Sequence, residues 1–580
     1  MISCEQTGKY LAAIETASST LKLLDIALPT TEKSEILSQL ELELDFYNHR
    51  LEKIKISELI DAPEMTKPET IVGMKLLMNI TAPAYFIDQD LLALVCLKMV
   101  NISLQYGNSD VSAHGYAFWA CLAGARLLDY KRGYEFGLLS MNLNEKFHNV
   151  NLACKVLNMF GGLISPWRSH LKQGIPYIKK AYIAGMDTGD VYVSYNCYNL
   201  IGQKIISSSD NFNLIIQESQ KYWEVLRKIQ NHLFAEVQQV YQHFLLNLQG
   251  LTPDKFSFST ENFDEAECLQ MWEEKDFMTG VAPYYVFKAQ ILFLYEDYEQ
   301  ALEKISISDR IIMFLSSMPI QCEHYFYYSL ILTAVYPQAT DAQQQEYQKI
   351  WTANQEKIKI WAENCPANFL HKYLLVSAEI ARISGREMAA LDLYDRAIAS
   401  AREYEYIQNE ALGNELAAKL WLSKGKEEIA QLYMKKAHYG YQLWGAKRKV
   451  EDLEAKYPQL LPVRSTNPNH KHITTIHTTD GQSGEMLDLA TVLKANQAIS
   501  GEIVLEQLLE NLMKIILENA GAQTGYLILE AGDRRLIQAA GAIDSSAVQV
   551  LQSIPVEDFP LLSQTIVNYV ARTKESVGVT

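Results

Sequence analysis

The sequence lacks any apolar run long enough to cross a bilayer as a helix. Its longest stretches of this kind, Leu91 to Val100 and Tyr284 to Tyr295, fall short of the roughly 20 residues that a spanning helix needs, and each contains a lysine. The amino terminus, Met1 to Lys9, also lacks the basic region and following apolar run of a secretory signal. We therefore expect a cytoplasmic protein with no membrane span.

An excess of positive charge is missing as well. The chain has 52 Lys and Arg residues against 69 Asp and Glu residues, which gives a formal net charge of −17 at pH 7. A broad nucleic-acid surface needs clustered Lys and Arg side chains that release the counterions of the phosphates. The composition therefore predicts no nucleic-acid partner.

Clustered cysteines, which would indicate a disulfide framework or a zinc site, are absent too. The eight cysteines lie far apart in the sequence, mostly within apolar stretches, at Cys4, Cys96, Cys121, Cys154, Cys197, Cys268, Cys322 and Cys365. This spacing is typical of reduced thiols buried in a core.

A tandem repeat is the most informative feature that is present. The segment Ala378 to Ala397 recurs as Ala418 to Ala437, with small residues at matching places. The matching pairs, each separated by the same interval, are Ala378 and Ala418, Gly385 and Gly425, Ala390 and Ala430, and Ala397 and Ala437. Such self-similarity at a fixed period indicates a repeat protein.

Each repeat reads as a helical hairpin. A glycine ends the first helix, small alanines let the second helix pack closely, and large residues such as Tyr394 and Met434 fill the space between hairpins. Weaker copies occur at Tyr284 to Leu302 and Ala113 to Phe147, and further units begin near Asn151 and Val191. The pattern resembles tetratricopeptide (TPR) repeats with a longer period than usual.

These observations predict the fold class and the main domain. The chain should be mostly α, with residues 1–460 forming a TPR-like α-solenoid of stacked hairpins. Such a superhelix has a long concave face, which we expect to bind protein partners. Most Tyr, Trp and Leu side chains should form the repeat core, so binding residues cannot be chosen among them.

Several segments resemble one specific group of proteins. They are Ser57 to Glu69, Leu97 to Ser109, Ala353 to Lys359, Asn368 to Tyr373, Asn414 to Lys419 and Trp444 to Val450. They look like bacterial hybrid signalling kinases, in which one chain joins a serine/threonine-kinase-like domain, an AAA/STAND ATPase, a TPR-like helical region, a GAF domain and a histidine kinase. The resemblance implies a role in two-component signal transduction.

The catalytic motifs of that group are not in this sequence. It has no Gly-x-x-x-x-Gly-Lys-Ser/Thr phosphate loop and no His-Arg-Asp or Asp-Phe-Gly element. We also expect the chain to end before a histidine-kinase phosphoacceptor helix. The sequence therefore predicts a non-enzyme with no catalytic residues and no cofactor. The alternative is a signalling kinase by family membership, with its catalytic domains supplied elsewhere.

The composition changes after Tyr457. Residues 461–485 are rich in Pro, Thr, His, Gly and Ser, which predicts a flexible linker. Residues 486–580 resemble the first part of a GAF domain, in which Leu487 to Ala495 matches the family's GAF start. Here we expect a short helix, an amphipathic helix, and then two strands at Gly525 to Glu530 and Arg534 to Gly541. Its incomplete sheet predicts self-association, and ligand-binding residues of this domain stay unknown.

Three other patterns invite a chemical reading. His470, His472 and His477 alternate in a polar linker, which is typical of solvated chain. The Cys322-Glu323-His324 triplet has two soft ligands but no second pair with zinc-like spacing, so we expect no metal site. The adjacent carboxylates Glu273-Glu274 and Glu427-Glu428 diverge on a helix and indicate solvated faces. The sequence thus favours a non-catalytic interaction and sensory module of a bacterial signalling system.

Overall fold

The computed structural model describes residues 10–29, 32–208, 210–461, 524–531, 534–542, 549–559 and 562–573. The chain divides into two compact units, Met1–Ser465 and Thr466–Thr580, which are described separately below. The predicted linker, His470, His472, His477, Cys4 and the two helices expected between residues 487 and 516 lie outside the described residues.

The first unit is built from helices. Before the regular hairpins they are α1 (Tyr10–Lys22), α2 (Lys33–Leu51), α3 (Pro68–Asn79), α4 (Thr81–Ile87) and α5 (Gln89–Tyr106). The hairpins begin with α6 (Ser112–Leu127), α7 (Tyr130–Lys146), α8 (Val150–Met159), α9 (Leu171–Thr188), α10 (Val193–Ser207), α11 (Phe212–Lys228) and α12 (His232–Gln249).

The series continues beyond residue 250 to the end of the unit. These helices are α13 (Glu265–Glu274), α14 (Met278–Leu294), α15 (Tyr298–Asp309), α16 (Ile320–Val335), α17 (Asp341–Asn364), α18 (Pro366–Ile383), α19 (Glu387–Glu403), α20 (Ile407–Ser423), α21 (Glu427–Trp444) and α22 (Lys447–Lys456). Short 3₁₀ segments, among them Ser165–Trp167 and Ile312–Leu315, connect some of them.

The predicted tandem repeat is confirmed as two successive hairpins, α18–α19 and α20–α21. Ala378 and Ala418 are both completely buried, and so are Ala390 and Ala430. We predicted repeat units that begin near Asn151 and Val191, and the helices α8 and α10 begin close to these positions. The helices before Ser112 are between 7 and 19 residues long.

The turns of the hairpins share one backbone device. At the turn after α18, Gly385 has a φ of 72°, and the amide of Arg386 donates to the Ala381 carbonyl at 2.9 Å. At the turn after α14, Glu296 takes the same left-handed conformation, with a φ of 69°. The residue in the left-handed conformation closes the last helical turn. The turn requires this conformation, which glycine adopts most easily but other residues can also adopt.

Successive turns of the superhelix contact each other directly. The side chain of Asn368 accepts a hydrogen bond from the Leu171 amide at 3.0 Å, across 197 residues. Gln408 donates to the Ile206 carbonyl at 2.7 Å, across 202 residues. Further along, Arg448 donates to the Thr252 hydroxyl at 2.8 Å, across 196 residues. Bonds of this kind join residues between 150 and 234 positions apart, so the chain returns onto itself after about four to six hairpins.

The buried apolar side chains of the first unit form two large clusters. One runs from Ile14 to Ile164 and the other from Tyr130 to Leu461. The two overlap in sequence at α7, where Tyr130 belongs to the second cluster and Phe136 to the first. The seven described cysteines are free, and six of them are buried, as predicted. Burial raises the pKa of these thiols, for example that of Cys365 to about 11, so they stay protonated at neutral pH.

The second unit contains an antiparallel sheet of β1 (Thr524–Ala531), β2 (Arg534–Ala542) and β3 (Gln549–Pro555), in the order β1-β2-β3. A helix, α23 (Gln564–Thr573), follows. Both predicted strands are confirmed. The expectation of only two strands was wrong, because β3 mixes polar and apolar residues without the clean alternation that identifies a strand.

In the described residues, no single helix is both long enough and apolar enough to cross a membrane. The pair α3 and α4 meets those criteria only when its two helices, bent by 41°, are taken together.

Candidate functional site

The helix α14 is covered by other parts of the first unit. In α14, every residue from Gly280 to Leu294 is buried. The carbonyl of Leu294 accepts a hydrogen bond from Lys449 Nζ at 2.6 Å, and that ammonium is itself fully buried. A helix from the next superhelical turn therefore covers the end of α14.

Asn368 shows how closely the two turns fit. Its side-chain amide donates to the Pro166 carbonyl at 2.6 Å and to the Ser169 carbonyl at 2.8 Å. Its carbonyl oxygen accepts from the Leu171 amide and from the Tyr406 hydroxyl. Because a buried amide is costly unless it is satisfied, these four bonds fix the register between the turns.

One cavity of about 330 Å³ remains between the turns. The first wall comes from the α6–α7 hairpin and the Ser165–Trp167 segment, and the second from residues 316–325 and the end of α17. Several aromatic rings line it: Tyr130, Tyr134, Trp167, Tyr325 and Trp361. These rings could not be distinguished from ordinary core aromatics in the sequence.

A second feature is the exposed apolar side chains on the two hairpin copies that match each other in sequence. Met388 on α19 is 80% exposed, and Leu432 on α21 is 54% exposed. The two helices are linked where the Tyr433 hydroxyl donates to the Asp395 carboxylate at 2.6 Å. We call the three exposed apolar residues Met388, Ile429 and Leu432 on these helices the outer patch.

The Cys322-Glu323-His324 triplet points to several neighbours rather than to one centre. Nε2 of His324 lies 3.2 Å from the Asp309 carboxylate, and the Glu323 carboxylate lies 3.2 Å from Lys372 Nζ. Burial lowers the pKa of His324 and raises that of Glu323. These side chains are therefore packed as parts of the hairpin core.

Nothing among the described residues assembles a metal-binding group. No set of three or more His, Cys, Asp or Glu side chains there is arranged to hold an ion. The histidines of the predicted linker lie outside those residues. The paired carboxylates Glu273-Glu274 and Glu427-Glu428 are exposed, as expected for solvated helix faces.

Comparison with known proteins supports the repeat assignment. A family described as CHK1-like, TPR repeats matches residues 270–440, which span α14 to α21 almost completely. Hybrid signal transduction histidine kinase G of Dictyostelium discoideum is 22% identical over 506 residues, covering 68% of this chain and 14% of that protein. The chain thus spans only a small part of that relative.

Two solved structures resemble the chain weakly. The human IFIT1 dimer with PPP-AAAA is 12% identical, with a TM-score of 0.28, and the match covers 77% of this chain and all of that one. A circular tandem repeat protein with novel repeat topology is also 12% identical, with a TM-score of 0.14 over 77% of this chain and 97% of that one. The family match at residues 270–440 shows a TPR-like repeat region, of the kind that mediates protein interactions, and the chain is similar to a signalling histidine kinase.

Proposed function

We propose that this chain is a non-catalytic interaction and regulatory module of a cytoplasmic signalling system, derived from a hybrid histidine kinase. The observation that carries the proposal is the coincidence of the α14–α21 hairpins with the family match at residues 270–440. Similarity to a hybrid histidine kinase supports the signalling context. Repeat arrays of this kind present extended surfaces to other proteins.

The outer patch is the surface that we assign to a protein partner. The helix α14 is buried, whereas Met388 and Leu432 expose apolar groups on two helices that are joined by the Tyr433–Asp395 hydrogen bond. Interface centres are enriched in such groups, and methionine adapts well to a partner's shape. The remaining open part of the concave face is the second place where a partner could bind.

Affinity capture after mild cross-linking, with extract from the source organism, tests this assignment. The intact chain should enrich proteins with histidine-kinase, receiver or ATPase domains. The Met388→Lys/Leu432→Lys variant should lose most of that enrichment, while Leu23→Lys, at a site that is 84% exposed, should keep it. Equal enrichment by all three proteins, or partners without signalling domains, would contradict the proposal.

We also propose that catalysis is supplied elsewhere. The chain lacks a phosphate-cradling loop and a kinase base, so the purified protein should neither hydrolyse ATP nor incorporate phosphate from labelled ATP. Activity that persists through further purification would favour the alternative, in which the chain itself is a signalling kinase. The small share of the kinase relative that is matched is compatible with a module cut from a larger enzyme.

The second unit is proposed as a partial GAF-like domain that self-associates or recruits a missing half. Its three strands leave β1 and β3 as sheet edges within the described residues, and unpaired edges are templates for another chain. Leu529 on β1 is 48% exposed. Light scattering on the intact chain and on a chain without residues 466–580 tests this, because only the intact chain should form dimers.

A further inference from the structure

The cavity between the two superhelical turns is built rigidly. Trp361 Nε1 donates to the Tyr130 hydroxyl at 2.7 Å, and Trp167 Nε1 donates to the Ser317 carbonyl at 3.1 Å. The rings of Trp167 and Trp361 lie 5.1 Å apart, and those of Tyr130 and Trp167 lie 5.6 Å apart. Aromatic walls held in this way form a preformed apolar surface, which lowers the entropic cost of binding a flat molecule.

The described residues that line the cavity carry only positive charge. Among the described residues that line it, Lys357 carries the single formal charge, and no carboxylate is present. Its Nζ lies 4.2 Å above the ring of Tyr325 and donates to that hydroxyl at 3.0 Å. Within the described chain it makes no ion pair, so two of its three N–H groups have no protein acceptor.

The Tyr130 hydroxyl adds a second donor. It accepts from Trp361, and no acceptor for its own hydrogen exists in the described chain. Burial raises the pKa of Tyr130 to about 12, so the hydroxyl keeps its proton at neutral pH. Lys357 and Tyr130 thus both offer hydrogen atoms to a molecule in the cavity, and neither presents a negative charge to it.

We propose that this cavity binds a small aromatic carboxylate or sulfonate. The flat apolar body would lie against Trp167, Trp361 and Tyr130, and the anionic group would accept hydrogen bonds from Lys357. A volume of about 330 Å³ is at the lower end of ligand pockets, which suits a molecule of two or three rings. This goes beyond the proposed protein-interaction function, since it assigns a chemical input to the repeat region itself.

Binding would connect two parts of the chain that are far apart in sequence. The first wall lies near residues 120–167, and the second near residues 316–361. A ligand that contacts both walls stabilises the state in which the two turns are closed, because it binds that state and not the separated one. Occupancy would therefore stiffen the superhelix.

The probe for this site is 1-anilinonaphthalene-8-sulfonate, and its uncharged counterpart is N-phenyl-1-naphthylamine. Both should bind the intact chain with a stoichiometry of one and a blue-shifted emission. Lys357→Met should weaken the sulfonate about tenfold and leave the uncharged probe within twofold, because only the sulfonate uses the ammonium group. Ser316→Trp, at the exposed mouth of the cavity, should weaken both probes.

Lys359→Met is the matched control. Lys359 lies on the same helix as Lys357, and its side chain is 58% exposed. The substitution should therefore leave the affinities for both probes unchanged. Circular dichroism and melting curves confirm that each variant is folded, which excludes probe binding to a loosened core. The proposal is overturned if binding does not saturate at one site, if Lys357→Met affects both probes equally or neither, or if Ser316→Trp leaves both affinities intact.

Discussion

Replacing the buried carboxylate of Glu415 by an amide should destabilise the helical unit more than any surface substitution of similar size. Glu415 lies on α20, with its side chain 2% exposed. One carboxylate oxygen lies 2.7 Å from Lys419 Nζ and 2.9 Å from Lys449 Nζ. The other accepts from the Tyr441 hydroxyl at 2.7 Å. Since Lys449 also bonds the Leu294 carbonyl, four helices meet at this carboxylate.

The magnitude follows from the electrostatics. Burial alone would raise the pKa of Glu415, but the charges and hydrogen bonds of Lys419 and Lys449 outweigh it and lower that pKa from 4.5 to about 2. One pKa unit corresponds to about 1.4 kcal/mol, so the carboxylate contributes on the order of 3 kcal/mol at neutral pH. Glu415→Gln also leaves Lys449 buried with an uncompensated charge, so we expect a total loss of about 3–5 kcal/mol.

The pH dependence has a definite sign. Because the pKa of Glu415 is lower in the folded state than its ordinary value of 4.5, its stabilisation is complete above about pH 5. The stabilisation is lost as the pH falls through that window toward about 2. The Glu415→Gln variant should therefore differ from the intact chain at pH 7 and much less at pH 3.

The assay is urea unfolding followed by circular dichroism at pH 7. Lys449→Met and the double variant Glu415→Gln/Lys449→Met complete a double-mutant cycle. The double variant removes one negative and one positive charge, and Lys419 keeps its 2.6 Å contact with Glu296, so the site stays electrically neutral. The free energy of unfolding of the double variant should fall by less than the sum of the decreases in the two single variants, with a difference of at least about 1 kcal/mol. Lys424→Met, in an exposed ion pair with Glu387, is the control and should cost less than about 0.5 kcal/mol. Additive losses, or a cost below about 1 kcal/mol for Glu415→Gln, would refute the reasoning.

The remaining predictions concern backbone conformation and the second unit. Gly425→Ala should lower the free energy of unfolding by about 1 kcal/mol, because φ at this position is 66° and the added Cβ contacts no other atom that could offset the strain. Gln230→Gly should raise the unfolding midpoint, because Gln230 has a φ of 59° and glycine relieves the strain. Brief proteolysis should first cut within residues 462–484, which are poor in apolar side chains; early cuts clustered in residues 100–450 would contradict the domain assignment. Deleting residues 466–580 should leave the melting temperature of the helical unit nearly unchanged; a much earlier melt would show that the units stabilise each other.

The repeat could be found from the sequence because its signal is local. Alanines and glycines at matching places, such as Gly385 and Gly425, encode close helix packing and a left-handed turn. Glu296 makes the same left-handed turn, but glutamate has no preference for this conformation, so the turn could not be predicted from the sequence. Another difference is that the sequence predicts a helix starting at Tyr284, but α14 begins at Met278 and contains Pro283 in its interior.

The cavity and the ion cluster could not be predicted, because both depend on the superhelical pitch. Trp361 and Tyr130 look like ordinary core aromatics in the sequence, and only the contact between turns brings them together. Lys449 similarly reads as part of a charged, solvated helix, although its ammonium is fully buried. A pitch set by small rotations at every hairpin leaves no pattern in any single segment.

The separation of about 200 residues between contacting turns changes how this array can fold and be shortened. Most repeat arrays have only near-neighbour contacts, so they lose or gain one unit at either end at little cost. Here, removing α20–α22 would expose the surface around Ile206 and Thr252, which these helices cover. The array therefore has a minimum length of about two superhelical turns, and its closing contacts form late, because they have a high contact order.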